Sequence, residues 1–172
     1  KVFVELLILA PIIIPSIAVV LGIHSVFISI GLTNTIFGVI LVHLIPTVPY
    51  MTLVMSAIFS NFDADFEYQA RSLGASSLKA FYYITLPAIL PGVVIGGLFA
   101  FLVSWSQYIL TLVIGGGKIL TLPLLLFSFA TSGRNDITGA IGIIYILPGI
   151  IILIFTTKYL SRRNVIGVFE RI

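Results

Sequence analysis

An all-α, polytopic bundle of transmembrane helices is the fold class this sequence predicts, and three observations predict it. Of 172 residues, 59% are hydrophobic and 9% charged, with a mean hydropathy of +1.23. Soluble domains carry about 25% charged residues. No Asp, Glu, Lys or Arg occurs from Leu6 to Phe62, and none from Ala80 to Gly117. Lipid requires every backbone polar group to be bonded internally, which leaves helices or closed barrels. The apolar runs are long and lack strict alternation, so they read as helices.

A span needs about 20 apolar residues. The run from Leu6 to Phe62 exceeds one span and divides near His24–Thr35, where Gly31, Asn34 and several hydroxyls offer a turn. This places a first span at about 3–23 and a second at about 36–60. A third follows Pro87 at about 88–113, and a fourth covers about 137–158. The segment 61–87 joins the second and third. Between the last two lies an outer loop, 114–136, with a short re-entrant or interfacial helix at about 121–131. All of this forms a single transmembrane domain over 1–172. Pro11, Pro15, Pro46, Pro49 and Pro148 fall inside spans, and each removes a helix hydrogen bond. Two readings stand for them: ordinary kinks, frequent in membrane helices, or hinges along a pathway.

Charge sets the orientation. Lys1, then Arg71 and Lys79, then Lys158, Arg162, Arg163 and Arg171 fall on one side of a four-span chain. Only Lys118 and Arg134 fall on the other. Basic residues concentrate in cytoplasmic loops, so both ends and the segment 61–87 are predicted cytoplasmic. There is no cysteine, hence no disulfide framework or thiolate metal site. The net charge of +3 sits near helix ends, which fits membrane anchoring rather than nucleic-acid binding. No signal peptide is recognisable, and the chain opens on Lys1 rather than Met, so a piece of a longer protein is expected.

Residues 63–87, DADFEYQARSLGASSLKAFYYITLP, form a charged amphipathic island between two stretches of hydrocarbon. Asp63 is placed to cap a helix starting at Ala64, with Asp65 and Glu67 near its positive end. Phe66, Ala70 and Leu73 recur at helical spacing as an apolar stripe. Gly74 ends this helix. Ser76 or Ser77 caps a second short helix carrying Leu78, Phe81 and Tyr82. A lipid-surface helix is the plain alternative, but such helices are rich in Lys and Arg. Three acids mixed with two bases suit a protein partner better.

These residues resemble the cytoplasmic loop of binding-protein-dependent ABC transporter permeases, the inner-membrane subunits of type I importers. The family signature runs Glu-Ala-Ala, three residues, Gly, nine residues, Ile, any residue, Leu-Pro. Counted from Gly74, this chain supplies Ala70, Gly74, Ile84, Leu86 and Pro87 at that spacing. Tyr68 and Gln69 stand where the family has Glu and Ala, and Glu67 stands one residue early, a departure that touches one salt bridge to the ATPase. The proline-bearing first span, the His43–Pro49 stretch, Thr121-Leu122-Pro123 and the basic tail are also similar to the last four helices of a six-helix permease.

The resemblance implies a coupling helix docked in a cleft on a separate ATP-binding subunit. Phe66, Tyr68 and Leu73 are its candidate anchors, and Glu67 and Arg71 its charged edge. Gln69, Ala70, Ser72, Gly74 and Ala75 complete the coupling segment. It further implies a second permease subunit, identical or related, an extracytoplasmic solute-binding protein, and a multi-pass place in a prokaryotic inner membrane. Cofactors are expected on the partner alone, as ATP and Mg. The permease itself is not an enzyme.

The remaining candidates are weaker. Gly115-Gly116-Gly117-Lys118 lacks the glycine and the hydroxyl residue of a phosphate loop, since Leu112 and Ile119 stand there. Ser104, Trp105, Gln107 and Tyr108 form the most polar cluster within a span, with Ser104 and Tyr108 on one face at i, i+4. Such a cluster marks a substrate pathway or an interfacial aromatic pair. His43 reads as a helix-to-helix hydrogen bond, and two histidines without carboxylates make no metal site. An intramembrane enzyme would need a paired-carboxylate or Ser-His-Asp arrangement within the spans, and they lack both. The remaining competitor is an ATP-independent channel or carrier, which has no use for the island.

Overall fold

A computed structural model describes residues 2–162. Lys1, Arg163 and Arg171, which carry part of the charge-based orientation, lie outside the described residues. Among those residues there is no strand. Helices α1 (Val2–Ile13) and α2 (Ser16–Ser29) occupy the region of the first expected span. They are two helices rather than one, bent by 115°. Pro15 explains the break: it lacks an N–H and disfavours helical geometry at Ile14.

Helix α3 (Ile36–Ser60) follows a tight turn and is capped by Thr35, whose Oγ1 accepts from Gly38 N–H at 3.0 Å. Pro46 and Pro49 lie inside α3 without ending it. Thr47 Oγ1 donates back to His43 C=O at 3.0 Å, one of the local bonds by which membrane helices tolerate proline. The short helices α4 (Asp65–Ser72) and α5 (Ser77–Ala80) follow. A π-helical turn over Phe81–Thr85 then leads into α6 (Leu86–Trp105). Ser77–Trp105 forms one continuous span of 29 residues. The third span therefore begins eleven residues before 88 and stops at Trp105, not at 113. Helix α7 (Ile109–Gly115) resumes after a break, α8 (Leu122–Thr131) lies in the outer loop, and α9 (Asn135–Arg162) closes the chain.

Three helices are long and apolar enough to cross a membrane, or four if the bent α1–α2 pair is one span. Hydrocarbon gives no hydrophobic drive between spans, so close approach at small residues does the packing. Gly92 and Gly96, one turn apart on α6, meet α3. A Cβ at Gly92 would lie 2.4 Å from Ile58 Cγ1, and one at Gly96 2.5 Å from Met51 Sδ. The main buried cluster joins α2, α3 and α7 through Val20, Phe27, Val39, Val42, Leu110 and Ile114.

Candidate functional site

Helix α4 is held at both ends by local bonds. Asp63 Oδ1 accepts from Asp65 N–H at 2.9 Å, so Asp63 caps a helix one residue later than Ala64. At the other end Gly74 N–H donates to Arg71 C=O and Ala75 N–H to Ala70 C=O, both at 3.0 Å. This bond pair needs a left-handed residue at its corner, and Gly74 has φ +93°. Ser76 then caps α5, its Oγ accepting from Lys79 N–H at 3.4 Å. The Gly74 corner throws Leu73 outward, where it is 90% exposed. Phe66, Tyr68 and Leu78 are exposed too, and no residue of α4 is buried. Tyr68 and Ser72 form a ridge between two shallow grooves, one lined by Asp65, Gln69 and Leu73, the other by Arg71, Ala75 and Ser76.

Glu67 and Ala70 are the two residues of α4 that are not fully exposed. Glu67 is half-buried and accepts from the Thr85 hydroxyl at 3.0 Å. It makes no ion pair with Arg71 at i+4, although the spacing allows one. Thr85 itself is 5% exposed and belongs to the π-helical turn. That turn is explained by Pro87. A proline ring clashes with the carbonyl four residues back and donates nothing to it. Widening the turn relieves the clash, and Leu86 N–H reaches back to Phe81 C=O.

A second polar cluster lies at the far end of α6. His43 Nδ1 is 2.9 Å from Ser104 Oγ, and Nε2 is 2.9 Å from Thr111 Oγ1. Thr111 donates its single O–H to Gln107 C=O at 3.0 Å. Its oxygen therefore accepts from Nε2–H, and donor counting assigns Nδ1 of the neutral ring as the acceptor for Ser104. These bonds span the break Ser106–Tyr108 and tie α3, α6 and α7 together. His43, Ser104, Trp105 and Phe101 line one side of a cleft of about 360 Å³, with Thr121, Leu122 and Pro123 opposite. Thr121 Oγ1 is buried without a hydrogen-bond partner among the described residues.

The family model for binding-protein-dependent transport system inner membrane components matches residues 1–165. The chain belongs to this family. It is 30% identical to the putrescine transport system permease protein PotI of Escherichia coli K12 over 165 residues, 91% of this chain and 58% of that protein. It is 26% identical to the spermidine/putrescine permease protein PotC of Haemophilus influenzae, over 87% of this chain and 58% of that one. It is 30% identical to the trehalose permease protein SugB of Mycobacterium tuberculosis, over 89% of this chain and 56% of that one. The chain thus spans under two thirds of the length of these relatives. Membership makes it an all-α, multi-pass inner-membrane protein.

Within this permease-family chain the residues singled out from sequence separate into distinct places. Phe66 through Ala75 lie together on α4 and its corner. Ser104 and Tyr108 do not share a helical face, because α6 ends at Trp105. Ser104 turns to His43, whereas Tyr108 packs on Phe127 with ring centroids 4.4 Å apart. Trp105 is stacked between Phe101 and Tyr145, at 5.8 and 6.1 Å, and its Nε1–H donates to Tyr145 C=O. Trp105 therefore acts as a tie between α6 and α9. Thr85, Thr111 and Thr121 escaped sequence reasoning. A threonine in an apolar run carries no signal until its long-range partner is known.

Proposed function

We propose that this chain is the membrane-spanning subunit of an ATP-driven importer, with its solute path along the spans and its drive taken from a separate ATP-binding subunit. The observation that carries this reading is the α4 corner. A leucine 90% exposed, beside an exposed phenylalanine and tyrosine, stands on a charged loop whose shape is fixed by two caps. Aromatic anchors such as Tyr68 are among the few residues that carry most of the energy of a protein interface, and Leu73 adds apolar area beside them. An ATP-independent carrier gains nothing from them. Family membership and the relatives' names support the same reading. The remaining partners are a second permease subunit, identical or related, and an extracytoplasmic solute-binding protein.

The relatives are named for putrescine, trehalose and molybdenum, three unlike chemistries. The stretches Leu6–Phe62 and Ala80–Gly117 hold no charged side chain to favour one of them. Choice of solute accordingly rests on the binding protein. The test is co-purification of the full-length subunit with its ATPase. Fully burying a leucine is worth about 1.5–3 kcal/mol. Leu73→Asp should therefore release the ATPase, while Leu120→Ser on the outer loop should not. Retention of the ATPase by Leu73→Asp overturns the proposal.

A further inference from the structure

We infer that Glu67 and Thr85 form a positioning latch that fixes the docking helix α4 to the root of the α6 span, and that Glu67 is not itself a contact to the partner. The inference rests on the proposed coupling to an ATPase. Three observations support it. Glu67 is the one acidic side chain of α4 drawn out of full exposure, while Asp65 and Arg71 remain exposed. Its carboxylate is met by a hydroxyl that is itself buried, 18 residues away, at 3.0 Å. Thr85 passes over the alternative open to most threonines in this chain. Thr47, Thr52, Thr111, Thr131, Thr138 and Thr157 all donate to a carbonyl three or four residues back. Thr85 instead reaches Glu67.

The site of attachment gives the latch its purpose. The turn Phe81–Thr85 is wound more loosely than the α-helices on either side. It is the compliant point between a loop that is pushed and a span that must move. Without a cross-tie, displacement of α4 is absorbed by bending there. Glu67 bridges that point, bonding α4 to the last residue of the turn, so that loop and span move as one body. A hydrogen bond to a charged group is strong enough for this, and its loss corresponds to roughly tenfold in the equilibrium it biases.

The experiment uses the full-length transporter with its ATPase and binding protein in proteoliposomes. It compares solute imported per ATP hydrolysed in Glu67→Ala, Thr85→Val and the double variant. Each single variant should lower that ratio roughly tenfold while the ATPase still co-purifies. The double variant should be no worse than either single one. Glu67→Gln and Thr85→Ser, which keep the acceptor and the donor, should restore most of the ratio and show that folding is not the cause. Loss of the ATPase from Glu67→Ala but not from Thr85→Val makes Glu67 a docking contact and overturns the latch. So do additive effects in the double variant, or an unchanged ratio in both singles. Failure of the coupling reading itself shows separately, as ATPase retained by Leu73→Asp.

Discussion

The closest approach of two spans next to the loop offers the sharpest test of the packing. Ile58 is two residues from the end of α3, and Gly92 lies midway along the continuous helix Ser77–Trp105, so their contact sets the separation of these two spans below the loop. Replacing Gly92 with Ala puts a Cβ 2.4 Å from Ile58 Cγ1, 3.0 Å from Cδ1 and 3.2 Å from Cβ. The outer two atoms can rotate away, at about 0.5–1.5 kcal/mol for an off-rotamer side chain. Ile58 Cβ cannot, so the helices must also part by a few tenths of an ångström. Together these belong to overpacking, about 1–3 kcal/mol. Alanine's preference for helix over glycine returns about 1 kcal/mol. The net is a destabilisation of up to about 2 kcal/mol.

Gly97 supplies the control, because a Cβ there meets nothing within 4 Å. Gly97→Ala keeps the helix gain and has no clash, so it should stabilise by up to about 1 kcal/mol. The two variants lie five residues apart on one helix and should move the thermal melting of the detergent-solubilised full-length subunit in opposite directions. Gly92→Ala should also reduce ATP-coupled uptake, since it splays the two spans below the loop. A Gly92→Ala protein that melts above the parent would refute the close approach. A parallel fall in Gly97→Ala would show that the glycines matter for helix flexibility instead.

Two further outcomes follow from other contacts. Gly74→Val forces a β-branched residue to φ +93° in open space, so its cost is conformational, of order 1–3 kcal/mol, and the corner should relax. Transport should fall while ATP hydrolysis by the assembled complex persists, as read by parallel uptake and phosphate-release assays; unchanged uptake would remove the corner from the coupling route. Thr111→Val keeps shape but strips His43 Nε2–H of its acceptor, which should lower stability by about 1–2 kcal/mol in a thermal melt. Thr111→Ser should restore it, and an unaffected Val variant would contradict the donor assignment at His43.

What could be read in advance was whatever chemistry is local. Gly74 is recognisable as a corner because a glycine follows a short amphipathic stripe, and the capping bonds from Asp63 and Ser76 stay within three residues. Pro15 announces the break between α1 and α2, though not that the bend reaches 115°. The break at Ser106–Tyr108 was not legible. It contains neither proline nor glycine, and the bonds that bridge it run from His43 across 61 and 68 residues. Glu67 shows the same limit. The family resemblance implies a place for it on the charged edge with Arg71, whereas its partner Thr85 is brought near only by the fold.

The Thr85–Glu67 bond and the break at Ser106–Tyr108 belong to one helix, and that placement has a physical consequence. Ser77–Trp105 is 29 residues long, roughly 40 Å at 1.5 Å per residue. Between Thr85 and Ser104 it carries no charge and no side-chain hydrogen bond to another element, and the close approach of Gly92 and Gly96 to α3 is what holds it there. Its long-range polar bonds lie at Thr85, to Glu67, and at its far end, to His43 and Tyr145. A stiff helix held at these two points passes a displacement from one to the other. Weakening the Glu67 bond should therefore change the response at His43 without loosening the glycine contacts between, whereas Gly92→Ala should disturb both. Measuring cysteine accessibility at Ser104 and at Ile58 in the two variants separates those cases. Equal changes at both positions in Glu67→Ala would mean that the span deforms along its length rather than moving as a unit.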